Sequence, residues 1–362
     1  MTPPGGAEPG SILVVKLSAI GDVVQTLPMV EALKKKYPRA LIDWLVEEDS
    51  SDLLLGHPAL DRVLVSRRKA WLQGLLGKGE RRRTLREMKR FLGELRARRY
   101  DWVIDNHGIL KSGLLVLLSR GRRKIGFRRS PGIADEGSYL FTNERYQPLS
   151  IERHARERYL DLIAQVGVPA GNPLPEYPVP AGISRRMEEF LREKGFLRRP
   201  LAIIHPEAKW ETKQWPREKF SRVISEIARS GASVVVTGSP QDVGAVKEIL
   251  ERVEKPSPVL NLAGKTTLKE LAALFSLADL VLTPDTGPMH LAAAVKAPLI
   301  ALFGPTAPWR TGPAGENSRI IRRELACSPC FRKKCSTREC MESITVEEVL
   351  EAALEKLGAG KG

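Results

Sequence analysis

The chain has 362 residues, 42% hydrophobic and 28% charged, with 30 Gly, 26 Pro and four Cys. These are the proportions of a soluble globular protein, and a chain of this length buries a core without disulfides; disordered, collagen-like and disulfide-scaffold classes are excluded. At roughly 150 residues per domain, length alone predicts two or three domains.

The first ten residues, MTPPGGAEPG, hold three Pro and three Gly and no basic stretch leading into an apolar run. Residues 1–10 therefore read as a disordered N-terminus and not as a secretory signal. No segment approaches the about 18 uninterrupted apolar residues of a spanning helix, so the chain is expected in the cytoplasm.

The formal net charge is +15, and it is concentrated. Between Arg67 and Arg129 there are 20 Lys/Arg and five Asp/Glu. Such a patch draws an anionic partner by its long-range field. Arg82, Arg86, Lys89 and Arg90 recur at helical spacing, opposite an apolar stripe of Leu85, Met88, Phe91, Leu92 and Leu95. A basic amphipathic helix of this kind lies on an anionic bilayer surface; its bland alternative is a solvated helix face. Aromatic residues are only 6% and do not interleave with the basic ones, so no nucleic-acid partner is expected.

The elements alternate along the chain. Ile12–Lys16 is a buried strand pattern, followed by a helix from about Val23 to Tyr37. Leu41–Val46 and Arg62–Val65 read as strands, and the long basic helix precedes a strand at Trp102–Asp105. A Pro-rich break, VPAGNPLPEYPVPAG, then interrupts the pattern. Strands restart at Leu201–His205, Ser233–Thr237, Leu280–Thr283 and Pro298–Phe303, with helices at Glu218–Ser230 and Leu268–Leu277. A last helix, Thr345–Leu357, has no assigned packing partner. Strand–helix alternation implies βαβ units with parallel sheets. The expected fold is α/β, with two Rossmann-like domains facing each other across a cleft. Their expected bounds are 11–170 and 185–343, with a linker at 171–184 and a C-terminal helical segment at 344–362.

Ligands of open α/β sheets bind beyond the carboxyl ends of the strands, so the loops there carry the chemistry. The first contains Asp22, an unpaired carboxylate at a helix start, either an N-cap or a general base drawing a proton from a hydroxyl. The loop lacks G-x-G-x-x-G and G-x-x-x-x-G-K-[ST], so no nicotinamide, flavin or P-loop nucleotide is inferred. A second loop, Thr283–His290, leads into a helix: Asp285 or Thr286 caps it, Pro288 suits its first turn, and Gly287 lets backbone approach a ligand. Its amides and dipole make a phosphate seat, with His290 one turn inside; the bland alternative is a well-capped helix. A third loop, His205–Pro216, carries Lys213, placed to neutralise a leaving diphosphate as a metal would, or simply a surface lysine. There is no D-x-D motif and the five His are scattered, so a metal-independent reaction without cofactor is expected.

Five stretches in order, KLSAIGDVVQTLP, DNHGILKS, HPEAKWETKQWP, TGSPQD and PDTGPMHLAAAVKAPLIALFGPT, resemble the bacterial lipopolysaccharide heptosyltransferases, inverting glycosyltransferases of the two-domain GT-B fold. The resemblance runs over nearly the whole chain. It implies an ADP-heptose donor, a Kdo-lipid A acceptor and a peripheral position on the inner face of the inner membrane. By that resemblance Asp22 falls on the catalytic base and Lys213 on the donor's diphosphate. Asp242 falls on the adenosine ribose, where a longer Glu is expected. Thr266 and Leu268 fall near the adenine, and Asp285, Thr286, Gly287 and His290 on the donor loop. Arg68, Lys69, His107 and Lys111 fall on the acceptor side. Arg68-Lys69-Ala70-Trp71, with the basic helix after it, is similar to the branch that adds the first heptose.

All four cysteines lie in Cys327–Cys340: Cys327, Cys330, Cys335 and Cys340, spaced C-x₂-C-x₄-C-x₄-C. Free thiols, a structural metal and disulfides all stay open. Such a tail is more similar to the branch that adds a later heptose.

Overall fold

The apolar β-branched runs become short strands buried on both faces, as parallel sheets require. A computed structural model describes residues 8–77, 79–197, 200–254 and 259–358. The chain divides into two units, residues 1–173 and 174–362. Residues 1–7 of the expected N-terminal tail and 359–362 of the C-terminal segment lie outside the described residues. Residues 8–10 do not float: Pro9 is buried, and the Gly10 amide donates to Asp101 Oδ2 at 2.8 Å.

The first unit, among the described residues, holds β1 Ser11–Val15, β2 Leu41–Glu47, β3 Arg62–Ser66, β4 Tyr100–Asp105, β5 Gly121–Phe127 and β6 Glu144–Tyr146. All pair in parallel, in the order β3-β2-β1-β4-β5-β6. The second unit repeats the plan with β7 Leu201–Ile204, β8 Ser233–Val236, β9 Val259–Asn261, β10 Leu280–Pro284, β11 Leu299–Phe303 and β12 Ser318–Arg322. Its order, β12-β11-β10-β7-β8-β9, is the same arrangement within its own half. In this doubly wound order the direction of winding reverses between the first and fourth strands, and the crevice at their carboxyl ends is the ligand position. In the first unit that point lies between β1 and β4; in the second, between β7 and β10.

Helices 68–76, 81–96 and 110–118 cover one face of the first sheet. Trp71, Phe91, Leu95 and Val116 are buried there against Leu13, Val15, Leu45 and Val103. Leu85 departs from the expected apolar stripe of the basic helix and is 55% exposed. The C-terminal helix, Val346–Leu357, finds its place in the second unit, where Val349, Ala352 and Ala353 are fully buried. The Trp215 indole N–H ties that region down by donating to Ile344 O at 3.1 Å. Helix 181–193 begins inside the expected Pro-rich linker, with Pro180 as its N-cap.

The first sheet buries a carboxylate in mid-strand. Asp43 on β2 has no exposure, yet it is tolerated because Arg62, Arg98 and the Tyr100 hydroxyl all donate to it, at 2.6–3.0 Å. Burial, with Asp43 as its partner, pushes the Tyr100 phenol well above its ordinary range.

The turn after β4 is a steric constraint. Gly108 has φ +79°, and a Cβ there would meet Ile133 O at 2.5 Å. Gly108→Ala is therefore expected to destabilise the protein by about 1–3 kcal/mol, from the left-handed backbone together with the clash, read by denaturant unfolding. A neutral effect would mean that this turn relaxes freely.

Candidate active site

The β1–β4 switch point gathers Lys16, Asp22, Asn106, His107 and Tyr159. The helix that carries Asp22 starts at Ile20, earlier than the expected Val23, because Ala19 is its N-cap. Asp22 is thus the third helical residue and not the cap, and its Oδ2 accepts from the Ala19 amide at 3.2 Å. Nor is it unpaired, as the sequence suggested. Its Oδ1 accepts from the Tyr159 hydroxyl at 2.6 Å and lies 3.6 Å from Lys16 Nζ. Lys16 is buried, and its Nζ also donates to Tyr159 Oη at 2.8 Å and Asn106 O at 3.1 Å. The Asp22 side chain keeps 42% of its surface open, although each of its oxygens accepts a hydrogen bond.

Burial pushes the Asp22 carboxyl up, but Lys16, the Tyr159 hydroxyl, the Ala19 amide and His107 outweigh it and hold it at about 2. Burial, aided by Lys16 and Lys111, drives His107 down to about 3, so its ring is neutral at pH 7. His107 Nδ1 and Asn106 Oδ1 are buried with no hydrogen bond among the described residues. Asp105 fixes their loop by accepting from the His107 and Gly108 amides and the Ser112 hydroxyl, at 3.1–3.2 Å.

The expected acceptor-side cations converge on carboxylates. Lys111 Nζ donates to Glu47 Oε1 at 3.1 Å, and Arg68 Nε donates to the same oxygen at 3.2 Å. Lys69 pairs with Asp49. Glu47 is only 6% exposed; sequence reasoning missed it.

At the β7–β10 switch point, Lys213 and Asp285 come together: Nζ to Oδ2 is 2.6 Å. Asp285 is buried and also accepts from the Thr306 hydroxyl at 2.5 Å. Lys213 rests over the Trp210 ring, 4.6 Å from its centroid. Thr286 is the N-cap of helix 287–294, with Pro288 in its first turn and no side-chain cap bond. His290 is buried one turn inside. Asp242 closes a capping box instead of standing free: its Oδ2 accepts from the Ser239 amide and hydroxyl, at 2.8 and 2.6 Å. Thr266 precedes the Thr267 N-cap of helix 268–277, and Leu268 is the first residue of that helix.

The four thiols are free. Among the described residues no group of three or more His, Cys, Asp or Glu side chains is placed as metal ligands; burial and the nearby thiols of Cys330, Cys327 and Cys335 push the Cys340 thiol up. Among those residues, no helix is long and apolar enough to cross a membrane.

Two Rossmann-like units, each with an ionic cluster at its switch point, make this an α/β enzyme of the GT-B class of glycosyltransferases. The chain belongs to glycosyltransferase family 9 (heptosyltransferase), whose profile matches residues 88–341. It is 31% identical to lipopolysaccharide heptosyltransferase 1 of Pseudomonas aeruginosa, covering 90% of this chain and 87% of that one. It is 30% identical to lipopolysaccharide heptosyltransferase 2 of Salmonella typhimurium, covering 86% and 87%. The solved E. coli heptosyltransferase WaaC with ADP superposes with a TM-score of 0.77 at 26% identity, over 96% of this chain and 99% of that one.

Because the folded carboxyl of Asp22 sits at about 2, below its ordinary 3.8, its ionised form stabilises the fold above pH 4. That contribution is lost as pH falls toward 2. Carbon-13 NMR of the Asp22 carboxyl is expected to show it ionised throughout pH 4–9, and Asp22→Asn to flatten the acid-unfolding curve in the pH 2–4 window. An ordinary midpoint near 3.8 would refute the clustering described here.

Proposed function

We propose that the enzyme moves L-glycero-D-manno-heptose from ADP-heptose to Kdo of the Kdo-lipid A inner core, with inversion at the anomeric carbon. The observation that carries this reading is the Lys213–Asp285 pair, 2.6 Å apart beside the start of helix 287–294 at a switch point. It offers a cation and first-turn amides together, which is what a diphosphate needs.

In this reading the acceptor hydroxyl attacks the anomeric carbon from the face opposite ADP. Asp22 takes the proton. Lys213 and the helix amides neutralise charge as ADP departs. Asp242 meets the ribose with Oδ1, since Ser239 holds Oδ2. Thr266 and Leu268 flank the adenine, and His290 backs the donor loop. Arg68, Lys69 and Lys111 bind the acidic sugar by exchanging their present carboxylate partners for it, and His107 offers its unbonded ring nitrogen.

Asp22→Ala is expected to lower transfer 10²–10⁴-fold, the usual range for general base catalysis, with ADP binding by calorimetry nearly intact. Transfer above about a tenth of the wild-type rate would remove Asp22 from the role. Lys213→Met is expected to weaken ADP binding by about tenfold or more, as loss of a charge-assisted hydrogen bond does; unchanged ADP affinity would take Lys213 off the diphosphate.

A second reading, addition of a later heptose, is favoured by the cysteine-rich tail and by a similarity to heptosyltransferase 2 nearly equal to that for heptosyltransferase 1. Assays on Kdo₂-lipid A against a heptosylated acceptor separate the two.

The partner surface we propose is the anionic inner leaflet. Helices 68–76, 81–96 and 110–118 present exposed Leu72, Leu76, Leu85, Leu114 and Leu117 amid exposed Arg81, Arg82, Arg86, Lys89 and Arg90. Arginines suit lipid phosphates and leucines the acyl boundary. Sedimentation with phosphatidylglycerol-containing vesicles is expected to retain the protein at low salt and release it as salt screens the charge. Equal retention on purely zwitterionic vesicles, or none on either, would refute this.

A further inference from the structure

We infer that Tyr159 and Lys16 are positioning residues for Asp22: their hydrogen-bonded chain fixes the orientation in which its carboxylate meets the acceptor. The inference rests on the reading of Asp22 as the base.

The geometry is a directed chain. Lys16 Nζ donates to Tyr159 Oη at 2.8 Å, and Tyr159 Oη has one proton, which it donates to Asp22 Oδ1 at 2.6 Å. The ammonium lies 3.6 Å from the same oxygen and 4.1 Å from the Tyr159 ring centroid. Asn106 O takes another of its protons at 3.1 Å. Both of its hydrogen bonds are long-range, spanning 143 and 137 residues. Lys16 directly follows β1, Tyr159 comes from helix 155–165, and that helix packs on the helix that carries Asp22. Both supporting side chains are buried, Lys16 at 3% and Tyr159 at 7% exposure. They hold Oδ1, while Oδ2 accepts from the Ala19 amide, and the side chain still keeps 42% of its surface open to an incoming hydroxyl.

Other charged groups face the same place. His107 and Lys111 stand on the β4 side, Asp105 at the end of β4, and Arg158 beside Tyr159 on its helix. His107 is neutral at pH 7, and Lys111 is matched by Glu47. Among these, Lys16 is the cation that most strongly holds Asp22 ionised. With Lys16 and Tyr159 in place the base is ionised at every physiological pH. Its driving force for proton transfer is small, so geometry has to supply what basicity does not.

Tyr159→Phe keeps the ring and removes only the hydroxyl. It is expected to cut kcat about 10–100-fold, a part of the general-base contribution, with the donor KM and ADP affinity unchanged. The Asp22 carboxyl should titrate about one pH unit higher, as loss of a hydrogen bond to a charged group implies. Lys16→Met should act in the same direction and gives the same two readouts if Tyr159→Phe does not fold. A purely structural role would lower the thermal midpoint while leaving kcat and the Asp22 titration in place, and that result overturns the inference. Asp22→Ala run alongside separates the two claims. If it transfers normally, the base reading fails. If it is inactive while folded Tyr159→Phe has wild-type kcat or an unmoved Asp22 titration, only the positioning claim fails.

Discussion

A lysine ammonium buried at the end of a parallel strand demands anions and dipoles around it, and much of the first unit's site is organised by that demand. Lys16 directly follows β1 with 3% of its surface exposed. Removing such a charge from water costs several kcal/mol unless it is compensated. The compensation comes from three directions: the Asn106 carbonyl beyond β4, the Tyr159 hydroxyl from a distant helix, and the Asp22 carboxylate six residues along the chain. Each supplier is thereby located by the others. The switch point is where the sheet geometry lets all three arrive, because the connections from β1 and β4 leave in opposite directions there.

The second unit meets the same difficulty with the signs exchanged. Its buried group is a carboxylate, Asp285, satisfied by Lys213 from one loop and Thr306 from another. Both units therefore place an ion pair in the crevice outside their central strands. In each pair one member is buried and the other is partly open, a combination suited to a ligand that competes for the open member.

Much of this was legible in the residues. The apolar β-branched runs at Ile12, Leu201 and Leu280 are long enough for buried strands, and β1, β2, β4, β7, β8, β10 and β11 stand where those patterns put them. The strands that escaped notice, β5, β6, β9 and β12, flank or form the sheet edges. There, sequences such as GRRKIGF and ERY carry the arginines of a solvated border and lose the apolar run. The site was legible loop by loop, since Asp22, Lys213 and Asp285 each follow a strand. Its pairings were not. Tyr159 lies 137 residues from Asp22, and Lys16 looks like the polar end of a strand. Glu47, which binds both Arg68 and Lys111, has no local signal at all. Asp22 was misjudged as unpaired, because capping chemistry is local while its actual partners are set by helix packing.

Glu47 bears on selectivity. One carboxylate already occupies the position between a guanidinium and an ammonium. A visitor with a single negative charge gains little there, since it trades one ionic contact for another and must still lose its own hydration. A visitor with several acidic groups held rigidly together recovers more than it displaces. Both cations thus rest with their charge already met by one buried carboxylate, and any anion that binds them has first to displace it.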